Sequence, residues 1–433
     1  MLFAKGGRND DLVVRGARVL DPVDGTDTVC DVRVDGGTIA QLGTSIEANS
    51  HRVIEAAGLV LAPAFVDPHV HLRVPGREDE ETIASGTAAA AAGGYCAILA
   101  MPNTEPVVDS AAVLGSLIED AQAQAVVPVG FLASITRGQE GAELTEMVEL
   151  AEQGAAGFTD DGRPIVAPGL MRRALQYHGV AGRRLAVHCE EPTLSGDGQM
   201  HEGAVSAELG FTGYPSVAES VMVERDLALA AYERKPLHLL HLSARESVEA
   251  LRGAQANGAA ATGEVTPHHL CLTDDAVRSL DPNVKMNPPL RSADDRAALI
   301  EGLRDGTICA VATDHAPHAR HEKEVPFEAA PFGVTGLETA FAALYTSLVD
   351  TGLVPLETLL ERMSAGPARA YGLEPPRIAV GAPANLVLLD TAATWRVDES
   401  GFRSRSANSW LLGQTLKGQV RLTVAAGKVV HES

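Results

Sequence analysis

The residues with the clearest chemical capacity are two histidines separated by one position, His69 and His71. They lie in the run AFVDPHVH, whose apolar and β-branched residues predict a β-strand. Because side chains at positions i and i+2 of a strand point to the same side, both imidazoles are predicted to face one point. Neutral imidazoles in that arrangement suit Zn²⁺ or a similar metal. Alone, the pair is a weak signal and is more often an ordinary polar strand surface, so the metal hypothesis needs further ligands.

Four more apolar runs end in residue types that bind metals. These are His188 in LAVHCE, His241 in LLHLS, Asp314 in AVATDHAPH, and the adjacent Asp160 and Asp161 in GFTDDG. Each residue alone fits a hydrogen-bonded strand end, but five such strand ends together indicate a functional cluster. Four histidines and two aspartates exceed one tetrahedral shell, which predicts two metals that share a carboxylate.

The bridging ligand cannot be a lysine. Many barrel enzymes bridge two metals with a carboxylated lysine on the fourth strand, but this chain has no lysine between Lys5 and Lys235. An aspartate must therefore serve, and the residues alone leave Asp160 and Asp161 both open. Among the other histidines, His238 is predicted to face away from His241. The pair His268-His269 could support the ligands, although packing is the simpler interpretation.

Several polar residues near the same strand ends could hold an anion. Arg73 follows His71 by two positions, so it faces the same side, and its guanidinium suits a carboxylate. The other candidates, each of which also fits ordinary loop chemistry, are Asn103, Asn287, Arg291, His318 and the glycine-rich segment 331–336.

The elements that must position these residues are eight apolar runs in the middle of the chain. Segments of helical period separate most of them, for example Glu143–Gln153, Ser216–Glu233 and Ala244–Ala256. This alternation predicts an α/β fold, a (β/α)8 TIM-type barrel, with the polar residues on the carboxyl-terminal face. A doubly wound sheet is the alternative, but the first run lacks the expected glycine-rich phosphate turn.

Both chain ends have a different texture, with short β-branched runs separated by glycine and aspartate turns. They predict one small β-sandwich domain built from both ends. The predicted limits are residues 1–62 for its N-terminal part, 63–372 for the barrel and 373–433 for its C-terminal part.

Composition narrows the class of protein. The 433 residues carry a formal net charge of −22, which argues against nucleic acid or a membrane surface as the main partner. The five cysteines are scattered and form no CxxC pair, which indicates reduced thiols in a cytoplasmic protein. The most apolar stretch, residues 84–101, is interrupted by Gly93-Gly94 and predicts a helix followed by a strand, not a membrane span.

Together these motifs resemble the dihydroorotases of the amidohydrolase superfamily. The resemblance rests on DPHVHLRVPG, GGYCAILAMPNTEPV, GFTDDG, HCEE, HLS, VTPHHL, MNPPLR and TDHAPH, and it covers nearly the whole chain. It points to the class in which an aspartate replaces the carboxylated lysine. One departure is Val74, where the family often has glutamate. Val74 is predicted to face away from His71 and Arg73, so the departure does not indicate lost function.

The resemblance implies the reversible cyclisation of N-carbamoyl-L-aspartate to L-dihydroorotate, in pyrimidine synthesis. It implies one or two Zn²⁺ ions, two being favoured, a hydroxide on the metals as nucleophile, and Asp314 as general acid and base. Asp161 matches the family's ligand better than Asp160. The implied metal ligands are His69, His71, Asp161, His188, His241 and Asp314. The implied substrate-binding residues are His71, Arg73, Asn103, Asn287, His318, Phe332 and Gly333.

Other readings and properties stay open at this stage. The alternatives are a sister cyclic amidohydrolase, such as an allantoinase or hydantoinase, and a non-catalytic scaffold. The expected partner is a small-molecule substrate, with a homodimer and association with another pyrimidine-pathway enzyme left as options. The charged segment 319–330 is predicted to be a mobile loop that orders over the substrate.

Overall fold

A computed structural model describes all 433 residues, and its strands form three sheets. In chain order the strands are β1 Leu12–Asp21, β2 Thr26–Asp35, β3 Thr38–Gly43, β4 Arg52–Glu55, β5 Val60–Pro63, β6 Phe65–Val70, β7 Tyr95–Ala100, β8 Val129–Ala133, β9 Gly157–Thr159, β10 Arg184–Val187, β11 Met200–His201, β12 Gly213–Tyr214, β13 Leu237–Leu239, β14 Ala261–Val265, β15 Ala310–Val311, β16 Leu386–Arg396, β17 Thr415–Ala425 and β18 Lys428–Glu432.

Fourteen α-helices accompany the strands, and no helix is both long and apolar enough to span a membrane. The helices are α1 Ile83–Ala92, α2 Ala111–Gln124, α3 Met147–Gln153, α4 Pro168–Ala181, α5 Pro192–Ser195, α6 Ala204–Leu209, α7 Val217–Glu233, α8 Arg245–Ala256, α9 Pro267–Cys271, α10 Ala293–Asp305, α11 Arg320–Lys323, α12 Ala340–Leu344, α13 Leu356–Met363 and α14 Ala365–Ala370. Short 3-10 turns lie at Arg137–Gln139, Asp274–Ser279, Pro282–Val284 and Glu399–Gly401, and a π-helical turn lies at Tyr345–Val349.

Eight parallel strands form the barrel, in the order β6-β7-β8-β9-β10-β13-β14-β15. The barrel closes where Val70 pairs with His315 and the His71 N–H donates to the His315 carbonyl at 2.8 Å. Every residue of β6, β7, β8 and β9 is buried, as expected of parallel strands covered on both faces. The eight predicted runs are the eight barrel strands, which confirms the barrel.

The chain ends form a second, mixed sheet in the order β18-β17-β16-β5-β1-β2-β3, with β4 paired to β1. Antiparallel pairing of β5 with β16 joins the two ends of the chain. The sheet encloses its own apolar cluster of 15 buried residues, which includes Leu12, Val32 and Leu386. The predicted fold class is confirmed, whereas the domain limits at 62/63 and 372/373 stay a prediction.

Local signals set the helix ends around the barrel. The side chains of Thr82 and Ser85 form a capping box at the start of α1, and those of Ser292 and Asp295 form another at the start of α10. α3 begins at Met147, four residues later than the periodicity predicts from Glu143, because Leu144 pairs with Thr136 in a single antiparallel β-bridge. α7 and α8 match their predicted limits within one residue.

Candidate active site

Six potential metal ligands converge at the carboxyl ends of the barrel strands. His69 lies in β6, and the other five follow a barrel strand within three residues: His71, Asp161, His188, His241 and Asp314. All six are buried. They lie on the barrel face where enzymes of this architecture place their active sites.

The first group of ligands consists of His69 and His71 with one oxygen from each aspartate. His69 Nε2 lies 3.4 Å from Asp314 Oδ1 and 3.5 Å from Asp161 Oδ2. His71 Nε2 lies 3.0 Å and 3.5 Å from the same two oxygens. The four donor atoms thus face one another closely enough to share one cation.

The second group consists of His188 and His241 with the other oxygen of Asp161. That oxygen, Oδ1, lies 3.4 Å from His241 Nε2 and 3.8 Å from His188 Nδ1. The two imidazole nitrogens are 2.9 Å apart. Asp161 therefore turns one carboxylate oxygen to each group, as a carboxylate shared between two metals would.

The spacing of the donor atoms is better explained by bound metal ions than by hydrogen bonds within the protein. In a tetrahedral zinc site with bonds of about 2.0–2.1 Å, neighbouring ligand atoms lie about 3.3 Å apart, close to the separations in both groups. His69 Nε2 is buried and has no hydrogen-bond partner within the protein. A buried nitrogen without a partner costs free energy unless something else binds it, and a metal would do so.

The ionisation of the two aspartates also suits metal binding. Burial would raise the pKa of the Asp161 carboxyl, but the charge of His69 and the hydrogen bond with His241 hold it well below its usual value. Burial is outweighed in the same way at Asp314, where His69 and His71 lower the pKa of the carboxyl. Both groups are therefore ionised at neutral pH.

The structure separates the two adjacent aspartates of GFTDDG. Asp160 turns away from the histidines, and its Oδ1 accepts hydrogen bonds from the backbone N–H groups of Ile135 and Thr136 at 2.7 Å and 3.1 Å. The hydroxyl of Thr136 also donates to Asp160. Asp160 thus fixes the loop after β8, while Asp161 alone of the pair reaches the ligand groups.

A buried glutamate that the sequence analysis missed orients two of the ligands. Glu264 Oε1 accepts a hydrogen bond from His69 Nδ1 at 2.8 Å and from the His241 N–H at 3.4 Å. Its Oε2 lies 3.0 Å from His238 Nε2. With its Nδ1 proton held in this way, His69 presents Nε2 as a free lone pair toward the metal position. His238 therefore supports Glu264, and its other ring nitrogen lies 2.8 Å from Thr262 Oγ1, so it is not a member of either ligand group.

Two further contacts fix the remaining imidazoles. His71 Nδ1 lies 2.9 Å from Asn103 Oδ1, so its Nε2 is left for a metal. His188 is oriented the other way round, since its Nε2 lies 2.9 Å from Glu190 Oε2 and its Nδ1 faces His241. Glu190 in the motif HCEE was another missed residue, and it also accepts a hydrogen bond from Asn287 Nδ2 at 3.2 Å.

Three site residues have backbone conformations that are unfavourable for side chains with a Cβ. Arg73, His241 and Asp314 adopt φ values of 61°, 29° and 47°. Left-handed conformations at residues other than glycine cost of order 1–3 kcal/mol each and concentrate at functional sites. The barrel and its loops therefore hold these side chains in place against a local preference.

A cavity of about 160 Å³ opens above the ligands. Its walls contain most of the predicted substrate-binding residues, namely His71, Arg73, Asn103, Asn287, Phe332 and Gly333. His318 lies beside this cavity, with its Nε2 2.8 Å from the Phe332 carbonyl and 3.5 Å from Arg73 Nη2. The structure thus brings all predicted substrate residues to one side of the ligand groups.

Another residue missed in the sequence, Glu80, lies beside Arg73 and His318. It is only 1% exposed, and its Oε2 lies 3.0 Å from Arg73 Nε. Its Oε1 lies 2.7 Å from Arg77 Nη2 and 3.1 Å from His318 Nδ1. Glu80 therefore fixes Arg73 and His318 relative to each other.

Three other candidates lie outside the cavity. Arg291 is buried and donates to the Tyr214 carbonyl at 2.6 Å and to Ser243 Oγ at 3.0 Å, so it joins loops and does not face a ligand. His269 Nε2 lies 3.0 Å from the Pro288 carbonyl, which fits the packing interpretation. His268 is buried beside it, and its Nε2 has no hydrogen-bond partner.

Sequence comparison identifies the protein family to which this barrel, mixed sheet and ligand cluster belong. The model of the amidohydrolase family matches residues 60–430, and the chain belongs to this family. Its curated relatives include dihydroorotases. That of Geobacter metallireducens is 44% identical over 422 residues, covering 97% of this chain and 99% of the relative. That of Anaeromyxobacter dehalogenans is 46% identical over 427 residues, covering 98% of each. Within the amidohydrolase family, the chain therefore falls among the dihydroorotases.

Solved structures with the same fold include related cyclic amidases. The L-hydantoinase (dihydropyrimidinase) of Arthrobacter aurescens aligns with a TM-score of 0.87 at 27% identity, over 98% of this chain and 96% of that one. The dihydropyrimidinase of Brevibacillus agri aligns with a TM-score of 0.84 at 22% identity, over 98% and 95% of the chains, and shows the shared fold alone.

Proposed function

We propose that the protein acts as a dihydroorotase, which interconverts N-carbamoyl-L-aspartate and L-dihydroorotate in pyrimidine synthesis. The observation that carries this proposal is the position of Arg73, Asn103 and His318 beside a cavity that opens directly onto the ligand groups. A cyclic amide with a carboxylate substituent needs both features, since its amide must reach the reacting centre while its carboxylate is held to one side.

The proposed cofactor is Zn²⁺, with two ions favoured. His69, His71 and Asp314 would hold one ion, His188 and His241 the other, and Asp161 would bridge them. When bound, the ions polarise the amide carbonyl and make water a stronger nucleophile. The chain's own contribution is to fix these ligands through Glu264, Asn103 and Glu190, which hold the imidazole protons away from the metal positions.

Asp314 is the proposed general acid and base. Its Oδ1 lies 3.0 Å from His71 Nε2, and its carboxylate lines the cavity. In hydrolysis, Asp314 accepts a proton from the attacking water as the new C–O bond forms. It then gives this proton to the ring nitrogen as the C–N bond breaks, which balances the reaction. In cyclisation the same carboxylate removes the proton from the ureido nitrogen as the C–N bond forms. It then gives this proton to the hydroxyl that leaves as water when the C–O bond breaks.

The substrate carboxylate is proposed to bind Arg73, Asn103 and His318. Arg73 Nε is already engaged by Glu80 and by the Pro317 carbonyl at 3.1 Å, which leaves its terminal nitrogens for an anion. Asn287 and the backbone of Phe332-Gly333 would contact the ring amide groups. Asn287 Oδ1 is buried and has no hydrogen-bond partner, so an N–H group of the substrate would satisfy it.

The first experiment is turnover of L-dihydroorotate by the purified protein, followed by the ultraviolet absorbance of the ring. The assay is repeated after chelation and after zinc is added back. We expect activity that disappears with the chelator and returns with zinc. His241→Ala should abolish it, whereas His178→Ala, which removes another buried histidine in α4, should not. A folded, metal-loaded protein without turnover would support the scaffold alternative and contradict the proposal.

The second candidate function is a hydantoinase, because the solved structures with this fold include hydantoinases. A substrate panel of dihydroorotate, hydantoin and allantoin separates the two. Turnover of hydantoin or allantoin without turnover of dihydroorotate would favour this candidate. A homodimer and a complex with another pyrimidine-pathway enzyme stay predictions.

A further inference from the structure

A segment near the C-terminus, residues 403–408, crosses from the small mixed sheet to the mouth of the barrel. The Ser406 hydroxyl donates to the Glu80 carbonyl at 2.7 Å, and the Arg405 N–H donates to Glu81 Oε1 at 3.2 Å. The Ser404 hydroxyl also bonds to Glu81. This segment, called here the brace, is therefore attached to the loop that follows the first barrel strand.

The brace ends at Asn408, whose side chain joins two loops at the candidate active site. Its Oδ1 accepts a hydrogen bond from the His318 N–H at 3.0 Å. Its Nδ2 donates to the carbonyls of Ala316 at 3.2 Å and Gly333 at 3.3 Å. Asn408 is only 7% exposed. One acceptor and two donors are used at once, and no side chain of this length other than asparagine offers that combination.

The two loops that Asn408 joins carry proposed substrate contacts. Beside Asn408 they are also connected by one β-bridge, in which the Ala316 N–H donates to the Val334 carbonyl at 2.8 Å. His318 belongs to the loop after β15, and Gly333 belongs to the loop after α11. They are packed very closely, because a Cβ added at Gly333 would lie 2.6 Å from the Ala316 Cβ. A small relative movement of these loops would therefore change the distance between the carboxylate-binding and ring-binding contacts.

We propose that Asn408 is a positioning residue for substrate binding. It sets the separation between His318, which is proposed to hold the substrate carboxylate, and the backbone of Phe332-Gly333, which is proposed to contact the ring. Asn408 does not itself line the cavity. The effect expected on substrate binding rests on the proposed function, whereas the connection that Asn408 makes between the two loops does not.

The test replaces Asn408 by aspartate, which keeps the shape but removes the two N–H donors. A carboxylate oxygen would then face the Ala316 and Gly333 carbonyls, and the loops should separate. The matched control is Asn385→Asp in the mixed sheet, where Asn385 Oδ1 accepts a hydrogen bond from the Ala426 N–H at 2.7 Å. That acceptor is retained in the aspartate variant.

We expect Asn408→Asp to raise the KM for both L-dihydroorotate and N-carbamoyl-L-aspartate by about ten-fold, which corresponds to about 1.4 kcal/mol, with kcat changed by less than about three-fold, because two hydrogen bonds are lost. Zinc content should match that of Asn385→Asp. An unchanged KM in the folded variant, or a fall of kcat alone, would overturn the proposal.

A second readout needs no turnover and so separates this inference from the proposed function. Hydrogen exchange of residues 315–334 should be faster in Asn408→Asp than in Asn385→Asp, with the barrel strands unaffected. Equal exchange in that segment would overturn the role of Asn408, whatever the substrate. Absence of dihydroorotate turnover in the unmodified protein, together with faster exchange, would reject the proposed function and retain the connection.

Discussion

Glu264→Gln tests whether Glu264 orients His69 for metal binding. The change is nearly isosteric and removes one buried charge. Glu264 is fully buried and does not line the cavity at the site, so the substitution leaves the proposed substrate contacts untouched. Burial opposes its ionisation, but the hydrogen bonds with His238 and His69 lower the pKa of Glu264 to about 2. The native residue is therefore a carboxylate that accepts a charge-assisted hydrogen bond from His69 Nδ1.

The expected magnitude follows from this contact. Hydrogen bonds to charged groups contribute about 1.5–3 kcal/mol, which corresponds to roughly a 10- to 150-fold change in an equilibrium constant. Loss of such a contact behind a metal-ligating histidine typically costs 10- to 100-fold in metal affinity or activity. We therefore expect Glu264→Gln to weaken zinc binding at the His69 group by about 10- to 100-fold, and excess zinc to restore much of the turnover.

The assay is competition for zinc against a chromophoric chelator, with turnover measured across the same zinc range. The matched control is Glu219→Gln, because Glu219 is a buried carboxylate that accepts hydrogen bonds from the Ser243 and Ala244 N–H groups at 3.1 Å each, and no hydrogen bond links it to a ligand side chain. Equal zinc affinity in the two variants would refute the reasoning. So would a loss of turnover in Glu264→Gln that excess zinc leaves unchanged at full metal occupancy.

Four further predictions follow from the same structure. Asp314→Asn should lower kcat by about 100-fold or more while the melting temperature stays within a few degrees, because the proton carrier is lost; near-normal turnover would remove Asp314 from the mechanism. Arg73→Met should raise the KM of both substrates by about 10- to 100-fold with a smaller change in kcat, since a charge-assisted contact to the carboxylate is lost; an unchanged KM would exclude the proposed carboxylate site. Burial raises the pKa of Glu338 to about 7 despite hydrogen bonds from the Ser404 and Arg403 N–H groups, so the native state loses stability as pH rises from about 4.5 to 7. Glu338→Gln lacks this loss, so over that range its free energy of unfolding should rise relative to that of the unmodified protein by up to about 3 kcal/mol. Denaturant unfolding measures this difference, and parallel pH profiles of the two proteins would contradict the prediction. The segment 319–330 is predicted to be less sensitive to protease when substrate is present, and equal cleavage with and without substrate would reject a loop that orders over the site.

Much of the fold and of the ligand set could be predicted because each depends on local sequence. Strand runs and helix limits follow from apolar periodicity, and residues at the ends of parallel barrel strands must meet at one face whatever the details of packing. Val74 illustrates the limit of this reasoning, since it is half-buried and packs against the large apolar core next to the site. The prediction from strand alternation does not extend to Val74, because β6 ends at Val70 and Arg73 has a left-handed backbone.

The missed residues share a different property, since their roles depend on contacts between distant parts of the chain. Glu264 in β14 supports His69 in β6 only because the barrel closes between the segment after β15 and β6, which brings together two side chains 195 positions apart. Asn408 reaches His318 across 90 residues from a segment that reads as an ordinary loop. A buried carboxylate within an apolar strand run, as in TGEV, was the one available signal, because burial of a charge requires a partner.

The charges around the cavity suggest how an acidic protein selects an anionic substrate. Four buried or nearly buried carboxylates belong to the ligand groups or contact them, and their charges would balance two divalent cations. They are Asp161, Asp314, Glu190 and Glu264. The positive charge of Arg73 is likewise balanced by Glu80. Net positive charge is therefore small even with both metals bound, and long-range attraction cannot account for substrate binding in a chain of net charge −22. Selection must instead come from directed hydrogen-bond donors at fixed positions, which is why the glutamates and the asparagine that hold those donors matter as much as the donors themselves.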